Sequence, residues 1–451
     1  MDSQLPLKKK SVAVLGGGLA GLAAAVDLVA KGFQVTLFEK RPLLGGRVYS
    51  VNDTTTGSAI DNGQHLLMGC YQATFQFLKT IRSFDKIQFQ KSLTVPFLDL
   101  EGRRFPLTCP NWPAPFHLAW GLLRWRALSF KEKWRLSRVL RAVQKLKKNE
   151  DWQRLETQDA QGWLCSLGQT SNLFRCFWDP IILATLNEIP SRVSAQLLAI
   201  VLKKAFLGSK RDSQLVFPQV DLSELFTVPA QQYLENLGAT LHLKFGIRQV
   251  QVKNHQVETL ILEDGTEFQA DYYLSALPPD ALFSILPDFL QTQTFWSRLS
   301  QMTYSSIWGL HLWFEKPLFE ESMVGLFDAT VQWIFNQKVL SQGKSTHYSV
   351  VLSAAKSLAL PSHEVLLERV LSDIRQVFPT MAQNKLLHFR ILKELKATPS
   401  LGPGSQALRL STKTEFANFF LAGDWTDTGL PATIEGAIQS GQQAASCILK
   451  V

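Results

Sequence analysis

Ser11-Val-Ala-Val-Leu15 runs into Gly16-Gly-Gly18-Leu-Ala-Gly21 and then into an Ala/Leu-rich stretch that keeps helical spacing as far as Lys31. This order predicts strand, tight turn and helix, the opening unit of a Rossmann-like α/β sheet. Gly16 permits the turn, Gly18 lets the backbone approach a pyrophosphate, and Gly21 lets helix and strand pack closely. The helix N-terminus adds amide donors and a partial positive charge. Gly32 ends the helix, and Gln34-Val-Thr-Leu-Phe-Glu39 forms a second strand whose last carboxylate stands 18 residues beyond Gly21, where an acid meets a ribose hydroxyl. A dinucleotide lacking a 2′-phosphate is the expected ligand. A GxGxxG run alone would equally start a Gly-rich helix; strand, helix and distal Glu in register carry the reading.

Length and composition set the frame around this unit. At 451 residues the chain is long enough for one to three domains, and 46% apolar with 19% charged residues places it among folded globular proteins. The 5 Cys, at 70, 109, 165, 176 and 447, form no CxxC pair, so neither a disulfide framework nor a metal site is expected, and a reducing cytoplasm is the simplest location. Lys8, Lys9 and Lys10 precede an apolar stretch from Val12 to Ala30 that could pass for a secretory signal. Four glycines, Asp27 and the second strand directly behind it argue against that, and no window offers about 20 uninterrupted apolar residues.

The sequel to the second strand is Arg41-Pro-Leu-Leu-Gly45-Gly46-Arg47-Val-Tyr-Ser50. Its paired glycines admit a close backbone approach, and Arg47 offers a fork for a phosphate or a flavin carbonyl. This run resembles the second cofactor motif of the amine oxidase and phytoene desaturase superfamily of flavoproteins. Near the C-terminus a strand-like Asn418-Phe-Phe-Leu-Ala422 is followed by Gly423-Asp424-Trp425-Thr-Asp427-Thr-Gly-Leu-Pro431-Ala-Thr-Ile-Glu435-Gly436, which looks like that superfamily's C-terminal flavin motif. The resemblance implies FAD as cofactor, with Asp424 at its ribityl and pyrophosphate region and the amides near Thr433 and Ile434 at the flavin C2 carbonyl. A positive helix end there stabilises anionic reduced flavin. Gly246-Ile-Arg-Gln-Val250, an alternating run through Val257, Leu260 and Leu262, a turn at Asp264-Gly265 and the run from Ala270 predict strands and a hairpin. In the superfamily such a segment returns the chain to the cofactor sheet, with a Val backbone near Val250 bracketing the adenine. The implied fold is a discontinuous FAD-binding domain (1–94, 216–284, 406–451) with a second, mixed α+β substrate domain (95–215, 285–405).

Ile60-Asp61-Asn62-Gly63-Gln64-His65-Leu66 resembles the block that faces the flavin ring in plant-type carotene desaturases, adding Gly63 and Gln64, with Lys40 beside Glu39, to the implied cofactor contacts. Taken with the C-terminal motif, it resembles the squalene-associated, desaturase-like subgroup of bacterial hopanoid pathways, the hydroxysqualene dehydroxylases. Phe177-Trp-Asp-Pro180, Leu186-Asn187 and Pro218-Gln-Val-Asp221 are similar to that subgroup as well. The resemblance implies a C30 isoprenoid substrate whose allylic hydroxyl leaves as water and whose cation accepts a hydride. Such chemistry needs a general acid, a dry slot and a hydride distance of roughly 3 to 3.5 Å. His65 and Asp61 are the leading candidates for acid or orienting roles, followed by Glu435 and Asp427. A hydrogen bond that merely shapes the flavin loop would equally account for His65, and a turn cap for Asp61.

Net charge is +9, from 47 basic and 38 acidic residues. All of that excess sits between Arg124 and Lys148, where ten Lys and Arg meet one acid, Glu132. Half of the 12 Trp (112, 120, 125, 134, 152 and 163) lie in or beside this stretch. Aromatic and cationic residues interleaved over 112–148 suit a helix pair lying on an anionic membrane, at the inner face of the cytoplasmic membrane. The other reading is a solvated helix whose Trp side chains pack a substrate domain. Nucleic acid is disfavoured, since the remainder of the chain is neutral and carries no binding motif. Three functions stay open: a reductive dehydroxylase, another flavoenzyme of the same fold such as a carotene desaturase or amine oxidase, and a non-catalytic flavoprotein escorting a prenyl lipid between synthases. No second dinucleotide fingerprint identifies an electron donor.

Overall fold

The computed structural model describes residues 9–340, 346–358, 362–379 and 383–451. Lys8 and the first residues of segment 1–94 lie outside the described residues, as do 341–345, 359–361 and 380–382 of segment 285–405. Strand β1 (Ser11–Leu15) is buried on both faces, as an unbroken apolar run requires in a parallel sheet covered on two sides. It pairs in parallel with β2 (Gln34–Glu39) and is separated from it by helix α1 (Leu19–Ala30). Three further parallel strands, β3 (Thr240–Leu243), β4 (Tyr272–Ser275) and β5 (Phe419–Leu421), complete the order β3-β2-β1-β4-β5. One sheet is thus assembled from three distant parts of the chain.

The pleat sorts β1 side chains between two cores. Val12 and Val14 pack with α1 and the C-terminal helix Ile434–Ile448. Ala13 and Leu15 pack against an antiparallel layer made of Ile247–Lys253, Gln256–Leu262 and Glu267–Phe268. The Asp264-Gly265 turn forms as expected, with Gly265 at φ +86°. A second reversal, at Asn254-His255, carries positive φ at both residues (50° and 57°) and had no Gly to announce it.

Beyond this unit, a six-stranded sheet runs in the order 386–399, 304–314, 347–352, 333–336, 323–326, 97–98. Helix His363–Val377 covers one face through Leu366, Val370 and Ile374. A helical layer spanning residues 116–206 packs with Phe97, Met323 and Phe335 from the sheet. It includes α2 (Phe116–Arg124) and α3 (Phe130–Lys145). Ser129 and Glu132 form a capping box at the start of α3, and Glu132 also accepts from Thr170 and Asn172. The lone acid of the basic stretch is thereby turned inward.

Candidate active site

A single cavity of about 830 Å³ joins the glycine-rich turn after β1 to the space between the six-stranded sheet and the helices. At one end its wall is backbone and charge. Gly16 and Gly18 line it at the start of α1, whose N-terminus has no side-chain cap, leaving its amides for an anion. Gly21 stays out of the wall, and its role is packing: a Cβ there would lie 2.0 Å from the Gly16 carbonyl oxygen. Glu39 links the two glycine loops, accepting from the amides of Gly17 and Arg41 at 2.8 Å each, and it lines the cavity with Lys40.

Gly45 and Gly46 form the opposite lip. Gly45 pairs with Gly18 across a bridge and has φ +104°, and a Cβ on it would meet the Val48 carbonyl oxygen at 2.0 Å. Arg47 lies behind them, giving one guanidinium nitrogen to Asp424 at 2.6 Å and another to the Ala397 carbonyl at 2.8 Å. Gly423, Asp424, Thr433 and Ile434 face the same space, and the Thr433 hydroxyl caps the C-terminal helix by accepting from the Gly436 amide. Two helix N-termini therefore point into this end. Uncapped amides, an Arg and glycines that admit no Cβ fit a dinucleotide diphosphate with its attached ring.

Loop 61–65 closes the cavity from above. Asn62 donates to the Arg47 carbonyl at 2.8 Å, and Gln337 donates to the Gln64 side chain at 2.5 Å. Gly63, Gln64 and His65 line the wall. His65 Nδ1 lies 2.7 Å from the Gly63 carbonyl, so that nitrogen carries the hydrogen and Nε2 keeps a lone pair. Burial holds the ring below its ordinary pKa, so it is neutral at pH 7.

Four expected site residues stand elsewhere. Asp61 is behind the loop, its Oδ1 accepting from the Ser50 hydroxyl (2.7 Å) and the Leu222 amide (2.9 Å); burial raises its pKa to about 7. Glu435 accepts from the Ala73 and Thr74 amides and the Thr74 hydroxyl, capping the helix Gln72–Thr80 with both oxygens. Both its oxygens face that helix end, and Glu435 is not on the cavity wall. Asp427 is exposed and bonded to Gln406. Val250 is fully buried in the hairpin core with Ala13 and Tyr273 rather than on the cavity wall.

Past the loop the wall is almost wholly apolar: Leu66, Val95, Phe97, Phe177 and Trp333 are representative. Leu118, Ala119 and Leu122 of α2 and Leu140 of α3 close its far end. The outer faces of these helices expose Phe116 (64%), Trp120, Leu123, Phe130 (75%) and Trp134, and Trp112, just ahead of α2, is exposed beside them. The six Trp divide, since Trp125 and Trp163 are core residues and Trp152 is half-buried. Sequence reading missed Arg41, which donates to the Gly46 carbonyl, and the cavity-lining Lys396, Ala397 and Thr398. Arg41 follows Glu39 closely enough to be found; the strand 386–399 has no local motif.

A doubly wound sheet with two helix N-termini and two glycine lips converging on one cavity defines an FAD-dependent oxidoreductase. The chain belongs to the family described as flavin containing amine oxidoreductase, whose model matches residues 19–449. It is 27% identical over 441 residues to a hydroxysqualene dehydroxylase of Zymomonas mobilis, covering 97% of this chain and 98% of that one. It is also 27% identical to a zeta-carotene desaturase of Synechocystis, covering 97% of each. Among solved structures an oxidoreductase from Methanosarcina mazei superposes with a TM-score of 0.74 at 15% identity, over 97% of this chain and all of that one.

Proposed function

We propose that the protein reductively removes the hydroxyl of hydroxysqualene to give squalene, water leaving as a hydride arrives at the allylic carbon. The observation that carries this is the continuity of the cavity, from the flavin-binding glycines into a long limb lined by hydrocarbon. When bound, the reduced flavin would bring both the hydride and, overall, the proton with which the hydroxyl leaves as water. The chain's own part is to hold the lipid beside it: the apolar limb excludes water from an allylic cation, and Arg47 with Asp424 fixes the cofactor end. His65 is the orienting residue; with its hydrogen committed to Gly63, the neutral ring accepts a hydrogen bond through Nε2 rather than donating a proton. Asp61 supports the loop from behind. FAD binding is the role of the segments 1–94, 216–284 and 406–451, and substrate binding that of 95–215 and 285–405.

The same reading places the protein on the inner face of the cytoplasmic membrane. No helix among the described residues is long and apolar enough to cross one. Helices α2 and α3 present apolar side chains to the cavity on one side and aromatic and cationic ones outward on the other, so a lipid would pass from bilayer to slot between them. Reducing equivalents come from a separate donor, and the synthase that makes the alcohol is the natural partner. Similarity to a zeta-carotene desaturase supports a second reading, in which oxidised flavin desaturates a polyene. An anaerobic single turnover of the reduced flavoprotein with hydroxysqualene decides between them. One squalene per flavin reoxidised is expected; no reoxidation, with desaturation of a carotene by the oxidised form, would overturn the proposal.

A further inference from the structure

Along the apolar limb, Asn187, Thr398 and Ser353 bring polar side chains together at one place. Asn187 ends the helix Asp179–Leu186 in the left-handed region (φ 50°) and is 5% exposed. The Ala354 amide can only donate, so its 2.8 Å bond identifies the Asn187 oxygen and turns Nδ2 toward Thr398 Oγ1, 2.9 Å away. Thr398 therefore accepts, and its own hydroxyl hydrogen has no acceptor among the described residues. Asn187 and Thr398 both line the cavity, as does Ser353, next to the Ala354 that orients the pair and itself without a hydroxyl partner. Of the other hydroxyls along the cavity, Thr185 donates to the Ile181 carbonyl, Ser213 to that of Lys210, Thr433 to that of Pro431, and Tyr304 to the Asp280 carboxylate.

The position of this cluster gives it a purpose. Ala397, adjacent to Thr398, receives Arg47, which is bound in turn to Asp424, so Thr398 stands where the cofactor end meets the hydrocarbon limb. A donor held ready in an apolar slot, and left without an acceptor there, favours a ligand that brings one.

We infer that Thr398, held by Asn187 and assisted by Ser353, is the recognition site for the oxygen of an alcohol on an otherwise hydrocarbon substrate. The inference rests on the dehydroxylase reading above and adds the specificity element it lacks. Thr398 donates a hydrogen bond to the hydroxyl oxygen, selecting the alcohol over the alkene and setting the carbon that bears it beside the flavin; it transfers no proton. A site built to bond a hydroxyl rejects an analogue lacking it far more strongly than an apolar pocket rejects a methylene.

The test compares binding of hydroxysqualene and of squalene to the oxidised flavoprotein in detergent, followed by perturbation of the flavin spectrum. Wild type is expected to prefer the alcohol by ~10-fold or more, one buried hydrogen bond being worth about that factor. Thr398→Val should bring the ratio close to one with flavin content and squalene affinity unchanged, and Thr398→Ser should restore the preference. A Thr398→Val protein that still prefers the alcohol overturns the inference alone. A wild type with no preference overturns the substrate reading and this inference with it.

Discussion

His311 and His347 meet inside the six-stranded sheet, Nδ1 of the first 2.9 Å from Nε2 of the second, while His311 Nε2 reaches the Asp61 carbonyl at 2.9 Å. A carbonyl only accepts, so His311 carries its hydrogen on Nε2 and receives one from His347. The pair thus holds the backbone from which Gly63, Gln64 and His65 project into the cavity.

Burial pushes His311 down to about 4 and His347 to about 3. The folded rings stay neutral where the unfolded chain, with values near 6.5, takes up protons. Stability from this source is complete above that unfolded value and is lost as pH falls through the folded ones. His347→Gln keeps a donor for His311 and removes a titrating ring. The melting temperature of wild type should drop between pH 6.5 and 4, and that of the variant less steeply. Parallel curves in scanning calorimetry would refute the assignment.

Asp61 works in the opposite sense. Its folded pKa of about 7 exceeds the usual 3.8, because burial disfavours the charge. Between those values the folded state binds the extra proton, so its contribution is greatest at low pH and declines as pH rises toward 7. Asp61→Asn can still accept from Ser50 and Leu222 and has nothing to ionise. At pH 8 it should be more stable than wild type by a few kcal/mol at most, and at pH 4 nearly equal. Chemical denaturation at the two pH values measures this; a variant less stable at pH 8 would show that the carboxylate is the form the loop requires.

Legibility in the sequence followed locality. The strand, glycine turn, helix and Glu39 lie within 29 residues, and each element obeys a short-range rule, so fold class and a dinucleotide ligand could be read directly, while FAD followed from the resemblance of the later motifs. Glu435 shows where that reading fails: its position in a flavin motif suggested chemistry, but its partners Ala73 and Thr74 lie more than 360 residues away. Val250 turns its side chain into the hairpin core, and an alternating run does not tell which strand residue presents its backbone to a ligand. Thr398 and Asn187 come together across 211 residues, between a helix end and a strand, and no spacing rule could have paired them.

Two glycines separate packing from ligand clearance. At Gly45 a Cβ meets the Val48 carbonyl oxygen at 2.0 Å and the backbone is at φ +104°, so Gly45→Ala must distort the lip even in flavin-free protein. At Gly63 nothing in the protein lies within 4 Å of a built Cβ, although the residue lines the cavity. Gly45→Ala should lower the melting temperature of the apoprotein, with a cost of roughly 1–3 kcal/mol or more. Gly63→Ala should melt like wild type when stripped of flavin and bind FAD more weakly. Normal FAD affinity in Gly63→Ala would move the isoalloxazine away from loop 61–65.

The outer faces of α2 and α3 carry enough exposed aromatic and cationic side chains to bind an anionic bilayer measurably. Phe130 and Trp134 are among the most exposed large apolar residues near the mouth, and Arg138 stacks on Trp134 with its guanidinium 4.3 Å from the ring. Inserting each apolar side chain into a bilayer is worth ~1.5–3 kcal/mol, and each nearby Lys or Arg about 1 kcal/mol on an anionic surface. Wild type should co-sediment with vesicles containing phosphatidylglycerol, less with pure phosphatidylcholine, and less again at high salt. Phe130→Ser with Trp134→Ser should cut partitioning by at least ~100-fold. Because Leu118, Ala119, Leu122 and Leu140 line the slot from the inner side, turnover of detergent-dispersed substrate should survive the double change while turnover of vesicle-borne substrate falls. Equal loss on both substrates would show that these residues support the slot and not its contact with lipid.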